Sequence, residues 1–294
     1  MLVLAGAGEP SVLYYLQKMK NGSRVDLVID NDPMVQGKQF FDHKIQSPQM
    51  LTHMAEKNRI KVIITSVRGY DKFEAQVLSA GIPKENIKKL KPSSEKLIPN
   101  LEIGINKISD IILLLNKNGI KCLPAYGTLL GLIRENNLLP YDNDVDTWIM
   151  DENLNRLHED ILNTIQKKFF PKAQYMRIRK YCLPENKFCE FRKPVTITVT
   201  FYFADKTLFR IDFFLLCKSG AYYYNTDSQV ELFRLPTYLF DTIKYFKVSG
   251  RNLLVPSRSD EILTTIYGDW RVPKKPNEDD GKYRGHLHEI TNFY

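Results

Sequence analysis

The apolar positions follow two rhythms, and the change comes near residue 93. Up to Lys91, short apolar runs alternate with stretches at helical spacing. Leu2-Val-Leu-Ala5, Val25-Asp-Leu-Val-Ile29 and Lys61-Val-Ile-Ile-Thr65 predict strands. The stretch ending near Met19, Gln49–Ala55 and 71–80 predict helices. Strands that are almost wholly apolar, each followed by a helix, imply a mainly parallel sheet covered on both faces. This α/β domain is expected over 1–93. A linker is expected over 94–104, where the run from Lys91 to Pro99 carries two prolines.

From 105 to 294 the pattern is different. Ile103 to Asn118 has helical spacing and stops at Gly119. Val145–Met150 reads as a strand, and Asp151 is expected to cap a helix reaching about Lys168. Val195–Phe203 alternates with period two, and Phe209–Leu216 follows at hairpin distance. Tyr245–Pro256 predicts a second hairpin around Gly250, and Ser259–Tyr267 a last helix. The expectation is an α+β module on a mixed or antiparallel sheet.

Composition adds little to the fold but narrows the partners. The chain has 294 residues, enough for two cores. No apolar run approaches the roughly 20 residues that span a bilayer, and the start lacks the basic region of a signal peptide. A cytoplasmic protein is expected, with room for peripheral membrane association. Net charge is +8 and pI about 9.1, which favours anionic ligands. No nucleic-acid-binding module has its signature here, so nucleic acid is set aside. Cys122, Cys182, Cys189 and Cys217 include no Cys-x-x-Cys pair. They read as ordinary thiols, with a metal-holding hairpin of Cys182 and Cys189 as the weaker reading.

Chemistry concentrates at Asp142-Asn-Asp-Val-Asp146. On an extended chain, residues two apart share a face about 6.5 Å apart, so Asp142, Asp144 and Asp146 converge and Asn143 points away. Converging carboxylates resist ionising together unless a cation joins them. Mg²⁺ or Mn²⁺ suits such oxygen ligands. A calcium loop is excluded, because Thr147 stands where its glycine belongs and Asn153 where its glutamate belongs. Upstream, Gly127-Thr128 opens a predicted helix whose backbone amides can meet a phosphate, and Arg134 lies further along it. Downstream, Asp212 sits in the apolar run Arg210-Ile-Asp-Phe-Phe214, a costly place unless it is paired or binds metal.

The ordered set Tyr126-Gly-Thr-Leu-Leu-Gly-Leu-Ile-Arg134, Leu139-Pro-Tyr-Asp-Asn-Asp-Val-Asp146, Arg210-Ile-Asp212 and Ile266-Tyr-Gly-Asp-Trp270 resembles the LicD/fukutin family of nucleotidyltransferase-fold enzymes. The resemblance spans about 105–275. It implies transfer of phosphocholine or a polyol phosphate from a CDP-linked donor to a sugar hydroxyl of a glycan or lipid-linked glycan, with release of CMP. It also implies Asp144, Asp146 and Asp212 as catalytic metal ligands. Gly127, Thr128, Arg134 and Asp142 would meet the substrate. Asp269 and Trp270 sit in a motif whose role the sequence leaves open. Tyr141 and Asn143 depart from the family's usual tryptophan and aspartate. Two other readings stay open: transfer of a nucleotidyl group, and a non-catalytic nucleotide-binding protein of a polysaccharide locus.

The first domain is similar to Rossmann-like domains attached to bacterial sugar-modifying enzymes. Gly6-Ala-Gly8 follows a strand and Asp30 and Asp32 end the next, but the third glycine of a dinucleotide fingerprint is missing. Nucleotide binding and a scaffold role both remain open there.

Overall fold

The computed structural model describes residues 1–66, 69–90, 98–99, 101–140, 142–150, 153, 156–182, 194–226, 232–248 and 250–273. The chain divides into two compact units, 1–98 with 203–207, and 99–202 with 208–294.

In the first unit, β1 (Leu2–Ala5), α1 (Glu9–Lys20) and β2 (Leu27–Ile29) are followed by a small ribbon, β3 (Gln39–Phe40) and β4 (His43–Lys44). Then come β5 (Lys61–Ile64), α2 (Tyr70–Ser79) and β6 (Ile87–Lys89). The sheet runs β2-β1-β5-β6 and every pairing is parallel. Both faces of its central strand are closed: Val3 and Leu4 point to opposite sides and neither is exposed. On one face Val3, Val62 and Ile64 share a core with Phe73 and Val77, one turn apart on α2. The segment expected to be helical at Gln49–Ala55 is a 3₁₀ turn, Pro48–His53, led by Ser47 and a proline and adding Leu51 to that core. A parallel α/β sheet is therefore present, as the apolar rhythm predicts.

The second unit begins after the short β7 (Ile98–Pro99). It contains α3 (Leu101–Lys117), β8 (Cys122–Pro124), α4 (Tyr126–Glu135), β9 (Val145–Met150) and α5 (Glu159–Phe169). The long strands β10 (Tyr175–Cys182), β11 (Pro194–Tyr202) and β12 (Thr207–Ser219) follow. Next are β13 (Tyr222–Thr226), β14 (Leu232–Pro236), the hairpin β15 (Ile243–Val248) and β16 (Arg251–Pro256), and α6 (Ser259–Tyr267). The sheet is mixed. β10, β11, β12, β13 and β14 are antiparallel neighbours, whereas β9 runs parallel to β12 and antiparallel to β8. α4 packs on β9 and α6, and α3 on β8 and β16.

Two further expectations change. The helix placed after Asp151 starts at Glu159 with His158 at its N-cap; Glu159 and Asp160 put their negative charge in its first turn, where the helix dipole favours it. Strands β3, β4, β6, β7, β8, β10, β13 and β14 have no counterpart in the expectations from sequence. Cys122 and Cys217 are buried, while Cys189, and with it the expected pairing with Cys182, lies outside the described residues. No helix among the described residues is long and apolar enough to cross a membrane.

Candidate metal and phosphate site

Register builds the acidic cluster. In the parallel pairing of β9 with β12, Asp146 stands opposite Asp212, and Val145 opposite Ile211. Strand alternation puts Asp144 on the same face as Asp146, while Val145 and Thr147 turn into the core with no exposure. Asn143 is exposed, as the alternation requires. One carboxylate oxygen from each of Asp144, Asp146 and Asp212 lies within 4.8 Å of the others.

The start of α4 is bolted to this strand. The Ala125 amide donates to the Asp146 carbonyl (3.0 Å), and the Asp146 amide donates to Thr128 Oγ1 (2.8 Å). Thr128 is wholly buried, so its hydroxyl fixes the helix to the acidic strand. Gly127 lies against the carboxylates: a Cβ there would sit 2.6 Å from Asp142 Oδ2 and 3.7 Å from Asp146 Oδ2. The Gly127 amide hydrogen-bonds the Asp146 carboxylate. One turn on, a Cβ at Gly131 would meet the Asn137 carbonyl oxygen at 2.7 Å. Glycine is thus what lets α4 lie close to the chain that leads into the acidic turn.

Sequence reasoning missed a further support. Tyr126 has φ of 39°, a strained value for a bulky residue. Its hydroxyl donates to Asn225 Oδ1 (2.7 Å), and the fully buried Asn225 donates to the Leu215 carbonyl (2.8 Å). Tyr126 also packs edge-on against Trp148 and Phe214. Nothing local in the sequence marks Asn225, which lies far along the chain.

Burial and mutual repulsion raise these acids. Burial, then the Asp144 charge, pushes Asp142 up to about 6. Burial, then Asp144, Asp142 and Asp212, holds Asp146 well above the ordinary carboxylate range. Asp212 is pushed up to about 6, chiefly by burial, although a hydrogen bond from Thr198 and the charges of Arg210 and Arg179 pull the other way. Asp212 Oδ1 is buried and has no hydrogen-bond partner. A buried, unpartnered carboxylate oxygen facing two more carboxylates fits a divalent cation with oxygen ligands.

The remaining motif residues hold a corner. Arg134 Nη1 donates to the Trp270 carbonyl (3.0 Å), and its Nε pairs with Glu135 (2.7 Å). Trp270 is buried, donates from Nε1 to Thr264 Oγ1 (3.2 Å) and stacks under Arg271. Asp269 is exposed.

A glycine-started helix thus leans on a strand pair that brings three carboxylates together where they could hold a metal ion. Residues 119–258 match the family model described as "LicD/FKTN/FKRP, nucleotidyltransferase domain". That span, a little under half of the chain, holds the whole cluster from Gly127 to Asp212 and supports a metal-dependent transferase. No curated protein matches the chain. Among solved structures, UDP-N-acetylglucosamine 3-dehydrogenase GnnA from Acidithiobacillus ferrooxidans aligns at 12% identity over 89% of this chain and 85% of its own, with a TM-score of 0.23. The WlbA dehydrogenase from Chromobacterium violaceum aligns at 13% identity over 79% and 72%, with a TM-score of 0.24. Scores this low carry no argument about the present chain.

Proposed function

We propose that the second unit transfers a phosphorylated alcohol, such as phosphocholine or a polyol phosphate, from a CDP-linked donor to a sugar hydroxyl of a glycan or lipid-linked glycan. The observation that carries this reading is the convergence of Asp144, Asp146 and Asp212, with Asp212 Oδ1 buried and unpartnered. These residues would hold Mg²⁺ or Mn²⁺. A bound cation would neutralise charge on the phosphate oxygens of an in-line displacement.

The chain's own groups do the rest. Asp144 and Asp146 leave one strand and Asp212 its neighbour, so the sheet fixes their spacing. The Gly127 amide holds the Asp146 carboxylate in place. Asp142, whose Oδ2 lies beside Gly127, is a further carboxylate at the site to which the sugar proton would pass. In the transfer, the sugar oxygen bonds to the donor's β-phosphorus. The bond from that phosphorus to the bridging oxygen of CMP breaks, and CMP leaves with the electron pair. The hydroxyl proton passes to a site carboxylate and then to water.

The test is CMP release by the full-length protein with Mg²⁺, CDP-choline, CDP-ribitol or CDP-glycerol, and candidate glycans. Acceptor-dependent CMP release with a phosphodiester product is expected for one donor. Pyrophosphate release from CTP, with a nucleotidyl group on the product, would replace this reading with nucleotidyl transfer.

A further inference from the structure

The sheet face that carries the acidic cluster continues beyond it, and its residues change sign. Across β12, β11 and β10 the register reads Asp212, Thr198, Arg179 in one row and Arg210, Thr200, Arg177 in the next. Neighbouring strands are about 4.8 Å apart, so Arg179 starts two strands, roughly 10 Å, from Asp212. Arg210 is two residues from Asp212 on β12 and shares its face. The residues between are short threonines that make a low floor, and all three of Thr196, Thr198 and Thr200 are buried. Arg179 and Arg210 both act on Asp212 through their charge. Thr196, two residues along the same face from Thr198, is 4% exposed, and its Oγ1 has no hydrogen-bond partner.

This is more than a solvated basic edge. A solvated edge does not bury an unpartnered hydroxyl on the same sheet face as a buried carboxylate oxygen in the same condition. Guanidinium groups over a hydroxyl floor, next to a cation site, offer what a phosphate anion needs: fixed forked donors and neutralising charge. The carboxylates alone would repel that anion, so cation and arginines would share the task from two sides.

We propose that Arg179 and Arg210, over the Thr196–Thr198–Thr200 floor, form a seat for a phosphate anion beside the cation site. The inference rests on the reading of the aspartates as a cation site. The anion belongs either to the donor's diphosphate or to a phosphorylated acceptor, and two probes separate these sources.

Full-length wild type, Arg179→Gln, Arg210→Gln and Arg179→Lys are titrated by calorimetry with CDP in saturating Mg²⁺ and with glucose 1-phosphate. Each is also titrated with Mn²⁺ alone, followed by electron paramagnetic resonance. Each glutamine variant is expected to lose at least about tenfold in anion affinity, as for a lost charged hydrogen bond, and the lysine variant to lose less. Mn²⁺ alone is expected to bind the glutamine variants at least as tightly as wild type, since a nearby positive charge is gone. Loss in the CDP arm assigns the seat to the donor, and loss confined to glucose 1-phosphate assigns it to the acceptor. Unchanged affinity in both arms, or a wild type that binds neither, overturns the proposal. A parallel fall in Mn²⁺ affinity also overturns it, because the arginines would then only support the acidic cluster. If anion binding responds as expected but wild type releases no CMP from any donor, the transfer reading fails and the seat stands.

Discussion

Both units place a glycine turn between a strand and a helix with a carboxylate nearby, yet only one leaves its acids unsatisfied. In the first, Asp30 ends β2 where a ribose-binding acid is expected. Its Oδ2 accepts the Ala7 amide (2.7 Å) and its Oδ1 the Asp32 amide (2.9 Å). The hydroxyls of Ser11 and Thr65 close on the Gly6 carbonyl and on each other. Asp30, Ser11 and Thr65 are thus all engaged by groups of their own unit. In the second unit, Asp146 and Asp212 are pushed upward by burial, and Asp212 Oδ1 meets no donor. A folded chain tolerates such frustration where something outside the chain relieves it. The difference leaves the unsatisfied carboxylate oxygen in the second unit and ties Asp30 to amides of its own turn.

The largest expected effect tests that division. Asp146→Asn should lower acceptor-dependent CMP release by about a thousandfold or more while melting at or above the wild-type temperature without metal, since it removes a repelled charge. Asp30→Asn should do the reverse. It sets an amide donor against the Ala7 or Asp32 N–H, costs about 1–3 kcal/mol in denaturant unfolding, and leaves turnover within about twofold. If Asp30→Asn abolished turnover at full stability, the comparison would break. A smaller effect follows from Gly127→Ala. Its methyl would land 2.6 Å from Asp142 Oδ2 and force the helix start away from the carboxylates. Activity and Mn²⁺ affinity should both fall about tenfold to a hundredfold; unchanged Mn²⁺ affinity would show that the helix start does not set the cluster.

Local rules made part of this legible. Period-two alternation sorted Asp144 and Asp146 from Asn143, and the cost of a lone acid in an apolar strand singled out Asp212. The structure brings those three aspartates together. The parallel sheet of the first unit was legible because buried parallel strands are apolar throughout. What stayed hidden depends on pairings distant in sequence. β10 reads Tyr175-Met-Arg-Ile-Arg-Lys, too charged to announce a strand, and becomes one because β11 offers a matching edge. Thr128 and Arg134 carry donor-like side chains, so the sequence aims them at a ligand. The structure engages them with the Asp146 amide and the Trp270 carbonyl. No local pattern foretells that Tyr126 leans on Asn225, since the two are 99 residues apart.

The smallest effect is thermal, and it sharpens the comparison through pH. Burial and neighbouring charge push Asp142 and Asp212 up to about 6 from an ordinary 3.8, and hold Asp146 well above that value too. Below about pH 4 these acids are protonated both folded and unfolded, so the raised values contribute their full stability there. Between about pH 4 and 6 the unfolded chain has released protons that the folded chain keeps, so that contribution is lost across this window. A divalent cation binds the ionised form and returns stability where protons no longer supply it. At millimolar Mg²⁺ the melting temperature should therefore rise by about 2–5 °C near pH 7.5 and by less than about 1 °C near pH 5. Asp146→Asn should abolish the difference between the two conditions, whereas Asp30→Asn, though less stable throughout, should keep it. A shift of equal size at both pH values, or one that survives in Asp146→Asn, would mean that the cation binds elsewhere and that the raised acids of the second unit are held by the fold alone.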